Sequence, residues 1–142
     1  IIGSVEQIEA MFREVHSPAL GLLCDPTNYF DDKTIRDVDG TINHIFDRLS
    51  PYMKVAHAKD IAIASDTGEK HADIDADESH SFRGSGAVEL PAAGLGILNY
   101  DLYLRRLAVD HPNIPLIIEH LDLTDIPRAK GFVDATLKRT GV

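Results

Sequence analysis

Met53-Lys54-Val55-Ala56-His57-Ala58-Lys59-Asp60 is a short apolar run that stops abruptly in a histidine, a lysine and an aspartate. The same grammar recurs twice. Leu20-Gly21-Leu22-Leu23-Cys24 stops at Asp25, and Pro115-Leu116-Ile117-Ile118 stops at Glu119. Short, almost continuously apolar runs are what strands covered on both faces look like, as in parallel sheets sandwiched by helices. Each of the three ends in a group able to hold a metal or move a proton.

The segments between these runs read as helices. Ser4 and Gln7 have capping-box spacing, in which each side chain satisfies a free N–H of the first turn. Ile8, Met11, Phe12 and Val15 then follow at helical spacing, and Ser17-Pro18 ends the helix because proline disfavours helical backbone before it. Ile35, Val38, Ile42, Ile45, Phe46 and Leu49 mark a second helix, with Asp31 or Asp32 as its cap, Gly40 as a weak point and Ser50-Pro51 as its stop. Asn99 caps a third helix carrying Tyr100, Tyr103, Leu104 and Leu107 on one face, and His111-Pro112-Asn113 breaks it. Thr124 or Asp125 opens a last helix, with Pro127 tolerated in the first turn, Phe132, Val133 and Leu137 on its apolar face and Gly141 at its stop. From about Ile61 to Gly96 helical periodicity is absent and acidic residues share the segment with Ser and Gly. Loops that long are usually functional or disordered, and this one reads as either an acidic surface loop or a loop folding over a site. Strands alternating with helices indicate βαβ units and a parallel sheet.

With 142 residues, 44% of them hydrophobic, residues 1–142 are expected to form a single domain. A formal charge of −9 with scattered lysines and arginines argues against binding the nucleic-acid backbone. The single cysteine, Cys24, cannot form an internal disulfide and reads as a small buried hydrophobe. No apolar run reaches the roughly 18–20 residues a membrane span requires, and no signal-like segment opens the chain, so a cytoplasmic location without membrane partners is expected. The chain opens Ile1-Ile2-Gly3-Ser4 without methionine, which points to a piece of a longer polypeptide.

Successive parallel strands joined by right-handed crossovers point the same way. Residues just past their C-terminal ends collect at one edge of the sheet, where sites are built in α/β barrels and open sheets alike. Asp25, His57 and Glu119 are therefore expected to meet. Two carboxylates and an imidazole suit one divalent cation, Mn²⁺, Mg²⁺, Co²⁺ or Zn²⁺, and three ligands leave positions open for substrate oxygens. The structural readings stand beside this: Asp25 as a turn cap before Pro26, His57 as a satisfied buried histidine. Glu119 is harder to explain that way, because a carboxylate ending a Leu-Ile-Ile strand needs partners against its desolvation cost. His16, His44, His71, His80 and His111 read as surface or loop residues, and His120 as pointing away from Glu119.

Leu-Gly-Leu-Leu-Cys-Asp25-Pro-Thr-Asn28, then Val-Ala-His57-Ala-Lys59-Asp60, then Pro91-Ala-Ala-Gly94-Leu-Gly96, then Pro-Leu-Ile-Ile-Glu119-His resembles the C-terminal half of a xylose-isomerase-like TIM barrel. The resemblance is to the sugar phosphate isomerase/epimerase superfamily, which includes ketose 3-epimerases, hydroxypyruvate isomerases, inosose dehydratases and apurinic endonucleases, and it covers nearly the whole chain. It implies a partial (β/α)8 barrel of about three to four parallel strands with covering helices. It also implies one divalent metal held by Asp25, His57 and Glu119, with a fourth ligand, a glutamate, that has no counterpart here. Asn28 stands where several relatives place a substrate- or metal-contacting histidine, and the three-zinc pattern of the apurinic endonucleases is not matched.

The implied activity is metal-dependent isomerisation or epimerisation of a sugar or sugar phosphate through an enediolate, with Glu119 as one catalytic acid/base. Asn28 and Lys59 are the expected substrate contacts, Lys59 alternatively closing a salt bridge to Asp60. Gly94 and Gly96 are read as allowing a close approach of their loop or a plain turn. Three or four strands cannot close an eight-stranded barrel, so the chain is expected to pair with a missing N-terminal half or a second copy and to be weakly active or inactive alone. An inosose-type dehydratase and a non-catalytic sugar-binding module are the alternatives.

Overall fold

The computed structural model describes residues 3–63 and 88–142. In chain order these form α1 (Val5–Val15), β1 (Leu22–Cys24), α2 (Val38–Leu49), β2 (Met53–Ala58), β3 (Ala62–Ile63), β4 (Val88–Glu89), α3 (Tyr100–Asp110), β5 (Leu116–Ile118) and α4 (Ile126–Thr140). The three apolar runs of the sequence are the three strands of one parallel sheet, ordered β1-β2-β5. Among the described residues there are four α-helices.

Helix boundaries follow local chemistry. Ser4 and Gln7 make the expected capping box on α1. The buried positions of that helix, however, are Val5, Glu9 and Phe12, while Val15 is exposed. Glu9 is tolerated inside because Arg13 and Arg48 both bind its carboxylate. The cap of α2 is Asp37, not Asp31 or Asp32. Asp31 instead accepts from the N–H groups of Lys33 and Thr34, ahead of a separate 3-10 turn, Thr34–Arg36. Gly40 belongs to the Asp37 cap: its N–H donates to Asp37 Oδ1 at 3.0 Å, and a Cβ there would strike the same carboxylate. Asn99 caps α3 as expected, and Gly141 ends α4 with a φ of 73°.

Most of the expected long loop lies outside the described residues, and so do His71 and His80. Its two ends are ordered by each other, β3 pairing antiparallel with β4. Beyond them Lys59 bridges Ala92, and the Asp60 N–H donates to the Pro91 carbonyl at 2.9 Å.

Strand register determines what each face of the sheet carries. Leu22 pairs with Met53 but Leu23 pairs with Val55, so Lys54 is an extra residue in β2, a bulge. After it, Cys24 aligns with Ala56, and Ala58 with Ile118. Side chains alternate across a strand. Cys24, Ala56 and Ala58 therefore face the helices and are fully buried. Leu23, Val55 and Ile117 take the opposite face, and Leu23 and Ile117 remain 43% and 49% exposed. Among the described residues, the sheet is thus covered by helices on one side and open on the other. None of the described helices is long and apolar enough to cross a membrane.

Candidate metal centre

One step past the paired residues, Asp25 continues the row of His57, and Glu119 continues the row of Lys59. The Glu119 N–H still donates to the Ala58 carbonyl at 3.2 Å, so this residue remains in register with the sheet. By alternation, Asp25, His57, Lys59 and Glu119 all belong to the open face, at the C-terminal edge. Asp25, His57 and Glu119 each present a ligand atom, and these atoms lie within 4.8 Å of one another.

Each group is held from its own strand. Asp25 uses one oxygen for an Asx turn: Oδ1 accepts from the Thr27 N–H at 3.1 Å and from the Thr27 hydroxyl at 2.6 Å. Its other oxygen, Oδ2, faces Lys59 Nζ at 2.8 Å and His57 Nδ1 at 3.8 Å. His57 Nδ1 also touches Glu119 Oε2, while Lys59 Nζ is 3.8 Å from the same oxygen. The His57–Glu119 contact lacks hydrogen-bond geometry, and Glu119 Oε2 is a buried oxygen with no hydrogen bond. Behind the site, Tyr103 donates its hydroxyl to the His57 carbonyl at 2.8 Å and Tyr100 to the Lys59 carbonyl at 2.9 Å. Burial chiefly pushes both phenols above their ordinary range, which keeps them protonated as donors.

Lys59 and Asp60 do not form the salt bridge considered from sequence. As neighbours on an extended strand they point to opposite faces: Lys59 joins Asp25. Asp60 accepts from three backbone N–H groups, of Ile61, Gly94 and Leu98, each at 2.9 Å. Gly94 has a φ of 85°, and a Cβ on Gly96 would strike the Ile61 carbonyl and Asp60. Gly94 thus serves a turn that needs positive φ, and Gly96 serves the close approach of the loop to Asp60 and Ile61.

Asn28 lies in the 3-10 turn Pro26–Tyr29 with its side chain exposed, and none of the bonds joining the four site residues involves it. Thr27, Tyr100 and Tyr103 also support the site, beyond the residues the sequence suggests. The Asp-Pro-Thr order was a legible Asx-turn signal for Thr27, whereas the two tyrosines read only as an apolar helix face. His44 and His111 are occupied elsewhere, by Glu6 and Ser50.

The residues fit a divalent cation. They offer two carboxylates and an imidazole converging from three strand ends, one carboxylate oxygen being buried without a hydrogen bond. Such a donor set suits hard or borderline divalent ions.

No protein-family model matches the chain, and no curated protein does. Among solved structures, it is similar to a xylose isomerase domain protein from Planctomyces limnophilus, with a TM-score of 0.67 and 22% identity over 99% of this chain and 44% of that one. The chain thus has a xylose-isomerase-like fold, and it spans less than half the length of that neighbour. At this identity the likeness speaks for the fold alone.

Proposed function

We propose that this chain carries the metal-binding edge of a divalent-metal-dependent isomerase or epimerase acting on a sugar or sugar phosphate. The observation that carries the reading is the convergence of Asp25, His57 and Glu119, with Glu119 Oε2 left without a hydrogen bond. Those three residues would hold Mn²⁺, Mg²⁺, Co²⁺ or Zn²⁺, which when bound supplies Lewis-acid polarisation of a substrate carbonyl. Glu119 is the more accessible of the two carboxylates, with its side chain 34% exposed against 3% for Asp25. Its accessibility supports assigning it the proton transfer, taking a proton from the carbon beside that carbonyl and returning it. Lys59 supplies positive charge beside both carboxylates and orients a substrate oxygen. Asn28, exposed on the turn after Asp25, contacts the substrate from the rim.

Among the described residues, the open face and the edges of β1 and β5 without a further strand support a second part of this proposal. A further set of parallel strands, from another polypeptide segment or a second copy, covers that face and completes the site. Unpaired strand edges beside exposed apolar residues are normally covered or blunted.

Incubation with ketoses and their phosphates in deuterium oxide with Mn²⁺ tests the chemistry, by following exchange of the proton beside the carbonyl by NMR. Slow exchange above a metal-only control, lowered by about 100-fold or more in Glu119→Gln, is the expected result. Exchange equal in the variant would overturn the role of Glu119. A dehydrated product absorbing in the ultraviolet would assign a dehydratase instead.

A further inference from the structure

Two non-glycine residues among those described have a left-handed backbone, His16 with φ 45° and His120 with φ 61°. His16 ends helix α1, where that conformation is routine. His120 has no helix end to explain it. It follows Glu119 directly at the end of β5, and any residue with a Cβ adopts this conformation at a cost. Such strain persists only where surrounding contacts over-determine it.

One such contact is a hydrogen bond from the ring. A carbonyl can only accept, so His120 Nδ1 carries the proton and donates to the Leu90 carbonyl at 3.2 Å. The chain after Leu90 is itself fixed to β2, through the Asp60 N–H to the Pro91 carbonyl. Lys59, one residue before Asp60, faces back toward Glu119. A closed circuit of contacts thus runs from Glu119 through His120, Leu90, Pro91 and Asp60 to Lys59, and back across the site.

We propose that His120 is a positioning residue for Glu119. Its left-handed backbone turns the chain off the sheet immediately after that carboxylate, and its ring anchors the turn to Leu90, which holds Glu119 against His57. The proposal rests on the reading of Glu119 as a ligand and proton-transfer group. Groups that fix the orientation of metal ligands typically matter about 10–100-fold in metal affinity; His120 acts here through the backbone turn, its ring bonding Leu90 rather than the carboxylate.

The test uses His120→Gly and His120→Asn, both of which accept a left-handed backbone but lack the ring. The first readout is the ¹⁵N NMR of the His57 ring nitrogens in metal-free protein, with thermal unfolding to verify the fold. The second is a titration with Mn²⁺ alone. Displaced His57 resonances in the folded variants, with Mn²⁺ affinity lowered about 10-fold, are expected. His57 resonances identical to the parent's in either folded variant overturn the proposal, whatever the transition temperature does. If the parent binds no Mn²⁺ while the His57 resonances still move, the positioning role stands and the metal reading falls.

Discussion

Lys59 Nζ and Asp25 Oδ2 lie 2.8 Å apart, and both side chains are only 3% exposed. The ammonium sits on the carboxylate oxygen that also faces His57, so Lys59 balances negative charge at the place where a divalent cation is proposed to bind. Removing one partner of a buried ion pair strands the other, typically at a cost of about 3–5 kcal/mol. Lys59→Met in metal-free protein is expected to lose stability of that order in urea unfolding, and part of the loss should return with Mn²⁺. An unchanged midpoint would show that the pair carries no such burden.

Leu23 and Ile117, 43% and 49% exposed, share the open sheet face with His57 and Glu119. The chain on its own is expected to associate with increasing concentration in sedimentation velocity. Leu23→Lys together with Ile117→Lys should weaken that association. A monomer at every concentration, indifferent to both substitutions, would contradict the idea that this face is normally covered.

Gly96 packs against the Ile61 carbonyl and the Asp60 carboxylate. Gly96→Ala must push the returning segment away from Asp60 and Ile61 and is expected to destabilise the chain by about 1–3 kcal/mol, read as a lower urea midpoint. Gly131→Ala, where a Cβ meets nothing within 4 Å, is the matched control and should not destabilise.

Burial, and then the nearby Asp25, push the Cys24 thiol from an ordinary 9.0 up to about 12. Between those values the unfolded chain releases a proton that the folded chain keeps, so folding stability should fall as pH rises through this window. The slope for this one group is at most about 1.4 kcal/mol per pH unit, and buried Tyr100 and Tyr103 add to it with the same sign. Urea midpoints from pH 8 to 11 check the direction, and Cys24→Ala should flatten the curve. Native Cys24 should also resist thiol reagents at pH 8 until the chain unfolds.

What the sequence disclosed follows from the range of the forces involved. Strand ends and their meeting at one edge were legible because apolar runs stop at Asp25, His57 and Glu119, and a parallel sheet gathers such ends together. The partner of Lys59 was not, since sequence adjacency favoured Asp60 while strand alternation sends the two to opposite faces. The bulge at Lys54 leaves no local signal, yet it sets which residues share a face with His57. Pairing of β3 with β4 joins residues far apart in the chain, two from each side, too few for a periodicity. Asp37 outcompeted Asp31 and Asp32 as the α2 cap because Asp31 was taken by the preceding turn. The turn at His120 likewise depends on Leu90, a residue no local pattern could nominate.

Everything functional here requires Asp25, His57 and Glu119 to share one cation. Mn²⁺ titration followed by electron paramagnetic resonance, on the parent and on Asp25→Asn, His57→Ala and Glu119→Gln, measures this. One ion per chain, with affinity reduced in every variant by about 10-fold or more, is the expected result. No binding by the parent, or binding that all three substitutions leave unchanged, would contradict it.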